Sequence, residues 1–183
     1  MYCNENSDIC DIICIIIKFS RLYNVHIKNR LGQFEFHDAA VTSAKFAGGD
    51  LIWRVSDINV SSENPQNKNK TDMCVKKAAI TFRKAKIEKI VLETFRDNRT
   101  LPPEESETVP PADYSAMFDT SLGDRINIGG LDIYSENSDG TFTARFAFAM
   151  AARRNFFIDL TFTESVVQWE KFSGIAWYEH PPE

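Results

Sequence analysis

Residues 156–162 read Phe-Phe-Ile-Asp-Leu-Thr-Phe, with Phe156, Ile158, Leu160 and Phe162 on one parity and Phe157, Asp159 and Thr161 on the other. Successive strand side chains point to opposite faces, so this alternation fits a strand with one buried face and gives a helix no continuous apolar stripe. Just before it, Thr141–Met150 repeats the pattern: Phe142, Ala144, Phe146 and Phe148 face one way, and Thr143 and Arg145 the other. The chain holds 14 Phe, a residue suited to a pleated, half-buried surface. Together these features predict an all-β fold: an antiparallel β-sandwich or open barrel of about eight to ten short strands, with at most one or two short helices.

The same rhythm runs back to Phe34. Val41–Ala47 leads through Gly48-Gly49-Asp50 into Leu51–Val60, and the two glycines suit a tight hairpin that needs positive φ. Ser61–Asp72 is polar and contains Pro65, which marks a loop. Cys74–Arg83 and Ile87–Phe95 read as strands; in the second, Ile87, Ile90 and Val91 also obey helical spacing, but a short run with Val91 and Thr94 favours a strand. Residues 97–113 are acidic and carry Pro102, Pro103, Pro110 and Pro111, the composition of a connector, with one short helix expected over Ala112–Phe118. Strands resume over Arg125–Tyr134, Thr141–Met150, Phe156–Phe162, Ser165–Phe172 and Gly174–Tyr178.

The two halves echo each other at a spacing of about eighty residues. Phe36 and Asp38 are answered by Phe118 and Asp119, Gly48-Gly49 by Gly129-Gly130, Ile80-Thr81-Phe82 by Leu160-Thr161-Phe162, and Ile87 by Val167. Between these anchors the match fails, because the polar loop Asn64–Lys70 faces the strand at Thr141–Met150. Two duplicated units packed face to face are one reading, and chance agreement in a β-rich chain is the other.

At 183 residues the chain fits one domain. The stretch Ile9–Phe19 is apolar except for Asp11 and Lys18, shorter than the roughly 20 residues that cross a membrane, and it lacks the basic start of a signal peptide. Residues 1–31 are therefore read as an apolar extension or extra strand, and 32–183 as a single β domain with the acidic connection at 97–113. No membrane association is expected.

A net charge of −5 argues against nucleic-acid binding, whose affinity comes mainly from neutralising phosphates. Cys3, Cys10, Cys14 and Cys74 contain no C-x-x-C pair, and His26, His37 and His180 do not supply zinc spacing. Free thiols point to a reducing, cytoplasmic compartment. No metal site and no cofactor is expected.

His37-Asp38 is the first candidate site, since a carboxylate beside an imidazole can orient a base or a ligand. Neighbouring strand residues point apart, however, and Asp38 serves equally as a cap for local amides. Asp57, Asn59, Glu63, Asn64, Asn67, Asn69 and Asp72 form an oxygen-rich stretch compatible with a hard cation, yet its spacing matches no calcium loop and Lys68 and Lys70 interrupt it. No nucleophile elbow and no phosphate-cradling glycine loop occurs; Gly48-Gly49 and Gly129-Gly130 read as turn glycines. The C-terminal aromatics Trp169, Phe172, Trp177 and Tyr178 are the candidates for a binding patch, because Trp and Tyr combine area with a polar handle. They serve as well to close a small β core.

The segments Phe36-His37-Asp38-Ala39, Gly48-Gly49-Asp50-Leu51-Ile52-Trp53, Asn64-Pro65-Gln66-Asn67 with Asp72-Met73, and Val167-Gln168-Trp169-Glu170 resemble a group of uncharacterised small proteins from gut Firmicutes. The resemblance covers about residues 34 to 178 and implies a bacterial, cytoplasmic, single-domain protein; it carries over no activity and no site residue. The expectation is a non-catalytic module that binds another protein, of immunity or assembly type, with His37, Asp38, Trp169, Trp177 and Tyr178 as binding candidates. The alternative is a small-ligand or metal-dependent enzyme with its site at the His37/Asp38 turn and the polar loop 57–72.

Overall fold

The computed structural model describes residues 23–37, 39–96, 99–100, 102, 105–118, 125–150 and 155–179. The apolar run at 9–19, Cys3, Cys10, Cys14, Asp38 and His180 lie outside the described residues. In chain order the strands are β1 (Val25–Lys28), β2 (Phe34–Glu35), β3 (Ala40–Ala47), β4 (Asp50–Ser56), β5 (Ile58–Val60), β6 (Met73–Val75), β7 (Ala78–Arg83) and β8 (Lys86–Leu92). After β9 (Phe95–Arg96), β10 (Arg99–Thr100) and β11 (Thr108–Val109) come β12 (Ile126–Glu136), β13 (Phe142–Met150), β14 (Phe156–Phe162), β15 (Glu164–Trp169) and β16 (Gly174–Ile175). The one α-helix among the described residues is a single turn, Tyr114–Met117, entered through a 3-10 turn at Pro111–Asp113.

Ten strands form one sheet in the order β1-β15-β7-β4-β3-β12-β13-β14-β8-β11, and every pairing is antiparallel. The fold is thus all-β, as the alternation predicts. β13 and β14 run in continuous register from Phe142↔Phe162 to Phe148↔Phe156, with their even-numbered residues buried. The sheet folds over on itself. Trp53 on β4 and Phe146 on β13 are three strands apart in the order, yet their rings lie 4.9 Å apart; Phe82 on β7 and Phe162 on β14 lie 5.0 Å apart. Neighbouring strands are spaced about 4.8 Å, so such contacts require the two halves to face each other around one core.

The strand order is symmetric about its centre. Outward from the β3–β12 pair, β3-β4-β7-β15 on one side corresponds to β12-β13-β14-β8 on the other. Each unit lays three strands in its own half and gives its fourth to the opposite half. The turn into β8 and the turn into β15 meet: Thr163 donates its amide to the Arg83 carbonyl at 2.9 Å. The equivalences Phe82/Phe162 and Ile87/Val167 follow this symmetry. Gly129-Gly130 does not. It lies inside β12 at a register shift rather than in a turn, and the positive-φ glycine of that hairpin is Gly140. The first hairpin does use the expected Gly48-Gly49, with φ of 60° and 86°.

Two expected strands are each broken into a pair that serves different sheets. Leu51–Val60 breaks at Asp57, whose φ of 59° turns the chain so that β4 stays in the large sheet and β5 enters a small one. Cys74–Arg83 breaks at Lys76-Lys77 into β6 and β7 in the same way. β5 and β6 are therefore inserted between β4 and β7, with no counterpart between β13 and β14 among the described residues, and β2 and β16 complete the small sheet β16-β6-β5-β2. It sends Phe34, Ile58, Val60 and Val75 into the common core. Val25–Lys28 pairs with β15 as an edge strand, and Ile27 and Leu31 are core residues, so the domain takes in chain before residue 32. Thr108–Val109 in the acidic connection pairs with β8 at the other edge. Gly174–Tyr178, expected as a strand, pairs only over Gly174–Ile175 and then turns into a 3-10 helix, Trp177–Glu179.

Trp53 sits at the middle of the core, fully buried, with its indole N–H donating to the Tyr114 hydroxyl at 2.6 Å. Burial holds the Tyr114 phenol protonated far above its ordinary range. Tyr114→Phe leaves that buried N–H without a partner and is expected to cost about 1–3 kcal/mol in urea unfolding. Trp53→Ala, which also opens a cavity, is expected to cost about 3–5 kcal/mol.

Candidate functional site

The face of the small sheet turned away from the core carries the candidate site. On β5, Ile58 and Val60 are core residues, so Asn59 between them points to the opposite face. Register places Glu35, Asn59, Cys74 and Gly174 side by side across β2, β5, β6 and β16 on that face. β12 approaches it with the same logic: Ile126 and Ile128 enter the core, which leaves Asn127 on the open side. The result is a cleft of about 600 Å³ lined by His37, Asp57, Asn59, Cys74, Lys76, Arg125 and Asn127, with Ser173, Gly174, Ile175 and Trp177 at its border.

A second cleft of about 560 Å³ adjoins it, lined by residues that include Glu35, Ser61, Asp72, Trp177 and Tyr178. His37 and Trp177 line both. The ionisable linings differ. Among the described residues, Lys76, Arg125 and Asp57 line the first cleft, and Glu35 and Asp72 line the second with no Lys or Arg.

Asp57 organises the first cleft. Its left-handed backbone is a conformation that Asp tolerates better than most side chains. Its carboxylate accepts from Lys76 Nζ at 2.7 Å and lies 3.8 Å from the Arg125 guanidinium. Partial burial pushes the Asp57 carboxyl up, but hydrogen bonds from Lys76 and Ser56 and the charges of Lys76 and Arg125 outweigh it and hold the group below the usual range. Cys74 is a free, half-buried thiol. Asn59, only 2 % exposed, lines the cleft from the middle of β5.

Trp177 is 60 % exposed, and Ile175 and Tyr178 beside it are 45 % and 38 % exposed. Asp72 fixes this segment. It accepts from the Tyr178 hydroxyl at 3.0 Å and from the Ser62 amide at 2.7 Å, and its own carbonyl accepts from the Ala176 amide at 2.9 Å. Burial first, then the Asp72 hydrogen bond and the negative charges of Asp72, Glu35 and Glu179, raise the Tyr178 phenol well above its ordinary range. Tyr178 is thereby anchored through its hydroxyl, and Trp177 packs edge-to-face beside it with ring centroids 5.6 Å apart.

The sequence candidates thus separate. His37, Trp177 and Tyr178 come together at the clefts, and Asp38 lies outside the described residues. Trp169 does not join them: it is 1 % exposed, paired on both sides in β15 and packed edge-on to Phe34, so it closes the core and is no surface patch. In the polar loop 57–72, Asp57 and Asp72 turn outward to Lys76 and Tyr178, while Asn67 is spent inside the loop. The Asn67 amide nitrogen lies within hydrogen-bond reach of the Val60, Ser61 and Thr71 carbonyls, and its oxygen accepts from Asn69. Among the described residues no three His, Cys, Asp or Glu side chains are grouped to share an ion, and no helix is long and apolar enough to cross a membrane. Sequence reasoning missed Lys76, Arg125 and Asn127; the available signal for Asn127 was a lone carboxamide between two isoleucines.

No protein-family model, curated protein or solved structure matches the chain.

Asp57→Asn keeps the backbone conformation and removes the charge. With its folded pKa depressed, Asp57 contributes stability above the unfolded carboxylate range near pH 4, and loses it as pH falls through the folded pKa. The variant should be less stable than the parent by up to about 1 kcal/mol at pH 7, and urea titrations should show that gap closing below about pH 4.

Proposed function

We propose that this chain is a non-catalytic β module that binds another protein, and that Trp177 with Ile175 and Tyr178 is the centre of the contact. The observation that carries this is the exposure of three large apolar side chains together, on a segment that Asp72 holds in place. Of the three tryptophans, Trp53 and Trp169 are buried in the core, and Trp177 alone is spent on solvent. Aromatic anchors flanked by polar pockets are the usual energetic centre of a protein interface, and rigid placement lowers the entropy cost of binding.

The net charge of −5 favours a basic partner, since complementary fields speed association. Neutralising a toxin or serving an assembly in a bacterial cytoplasm suits such a module, in line with the resemblance noted above. The ligand-binding alternative draws on a specific observation as well: His37 and Asp57 meet in the first cleft and Asp72 borders the second.

Affinity capture from the source cells with the parent chain and with Trp177→Ala tests the reading. A partner retained by the parent should be lost with the variant, and titration calorimetry of the purified pair should show about 2 kcal/mol weaker binding, some thirtyfold. Equal retention by both chains rules out Trp177 as the anchor.

A further inference from the structure

We infer that the second cleft receives an arginine side chain of the partner, its guanidinium stacked on Trp177 and paired with the carboxylates of Glu35 and Asp72. The inference rests on the protein-binding reading and names the chemistry by which the partner is held. Carboxylates collect here without a cation to balance them. Glu35 and Asp72 line the cleft, and Glu179 joins them through Asp72, its Oε1 3.5 Å from that residue's amide. Their partners are neutral donors: Glu35 accepts from the His37 amide at 2.7 Å, and Asp72 from the Ser62 amide and the Tyr178 hydroxyl. Among the described residues no Lys or Arg forms an ion pair with any of the three, whereas Asp57 in the first cleft has Lys76 and Arg125. After burial and the Asp72 hydrogen bond, the charges of Asp72, Glu35 and Glu179 each raise the Tyr178 phenol, so all three act at one point.

Carboxylates alone would draw any cation; the aromatic wall selects an organic one. Trp177 is 60 % exposed and Tyr178 38 %, and their rings stand at 82° to each other, so they form a corner rather than one flat surface. The face of an aromatic ring attracts a cation through its quadrupole, most strongly for Trp. A guanidinium is flat, weakly hydrated and carries its donors in a fork, so it can cover an indole and donate to carboxylates at the same time; an ammonium is a compact point charge and cannot. Gln33, in the same lining, holds its side-chain oxygen buried with no hydrogen-bond partner among the described residues, a further acceptor beside the carboxylates. The lining has no Lys or Arg to compete for these groups, and His37 is its one side chain able to become a cation. A site of this charge also suits the basic partner that the net charge of −5 favours.

The test is titration of the full chain with the peptide acetyl-Gly-Arg-Gly-amide, followed by proton–nitrogen correlation spectra. The reporter is the Trp177 indole N–H, because Trp53 and Trp169 are buried. The arginine peptide should shift that resonance saturably, the lysine analogue should bind more weakly, and the citrulline analogue, which keeps the shape without the charge, should leave it unmoved. Glu35→Gln keeps an acceptor for the His37 amide and should weaken binding about twofold to fivefold. Glu105→Gln, the same change of net charge in the acidic connection, should leave binding as in the parent. Trp177→Ala should abolish the shift of the neighbouring Tyr178 amide. Glu179→Gln should weaken binding in the same direction as Glu35→Gln, and it serves if that variant does not fold.

No saturable shift with the arginine peptide, equal shifts with the citrulline or lysine analogue, or equal weakening by Glu35→Gln and Glu105→Gln overturns the inference. Partner capture that depends on Trp177 but is indifferent to Glu35→Gln would leave the protein-binding reading standing and remove the arginine site alone. Arginine-peptide binding as expected, beside partner capture indifferent to Trp177→Ala, would instead remove the protein-binding reading and with it the assignment of the arginine to a partner.

Discussion

Trp53 is the contact on which the rest of this fold depends. Its ring meets Phe82 from its own half of the sheet, and Phe146 and Phe148 from the other, all edge-on within 5.4 Å. Phe118, from the segment after the Pro pair, packs against the same group, and Tyr114 accepts its N–H. Edge-to-face aromatic packing adds to simple area burial, and here one residue receives it from both halves and from the connector. The sheet can fold over on itself because one large side chain fills the space between its faces.

Around that core the molecule is divided by duty. The large sheet has a Phe-rich inner face and an outer face held by cross-strand pairs such as Arg145–Asp159, bonded at 2.6 and 2.8 Å. The small sheet contributes core residues on one side and polar ones on the other. The clefts exist because β5 and β6 leave the large sheet at Asp57 and at Lys76, the two residues that then form an ion pair across the opening. The change of sheet and the chemistry of the cleft are set by the same side chains.

The strands of the second half were legible because their apolar residues alternate without interruption and their hairpins are short. The break at Asp57 was not: Leu51–Val60 alternates through it, and a single left-handed residue leaves no mark on hydrophobic periodicity. The symmetry of the strand order was half legible. Its anchors at Phe82/Phe162 and Ile87/Val167 sit after the insertion, where a constant offset holds; the glycine anchors sit before it, where the inserted strands have shifted the offset and a bulge glycine resembles a turn glycine. Trp169 and Trp177 look alike in sequence, and only pairing separates them. One lies in a strand flanked on both sides, the other past the point where pairing ends.

The exchange of fourth strands between the halves governs the order in which the chain can assemble. β7 must wait for β15, some eighty residues downstream, and β1 pairs with residues more than a hundred positions away. Neither half completes its sheet from its own sequence. During synthesis the first unit therefore emerges with open strand edges that only the final third of the chain can close. Topologies with such long-range pairing fold on the order of milliseconds to seconds rather than microseconds. A nascent chain of this kind leans on its surroundings to keep those edges from meeting a neighbour first.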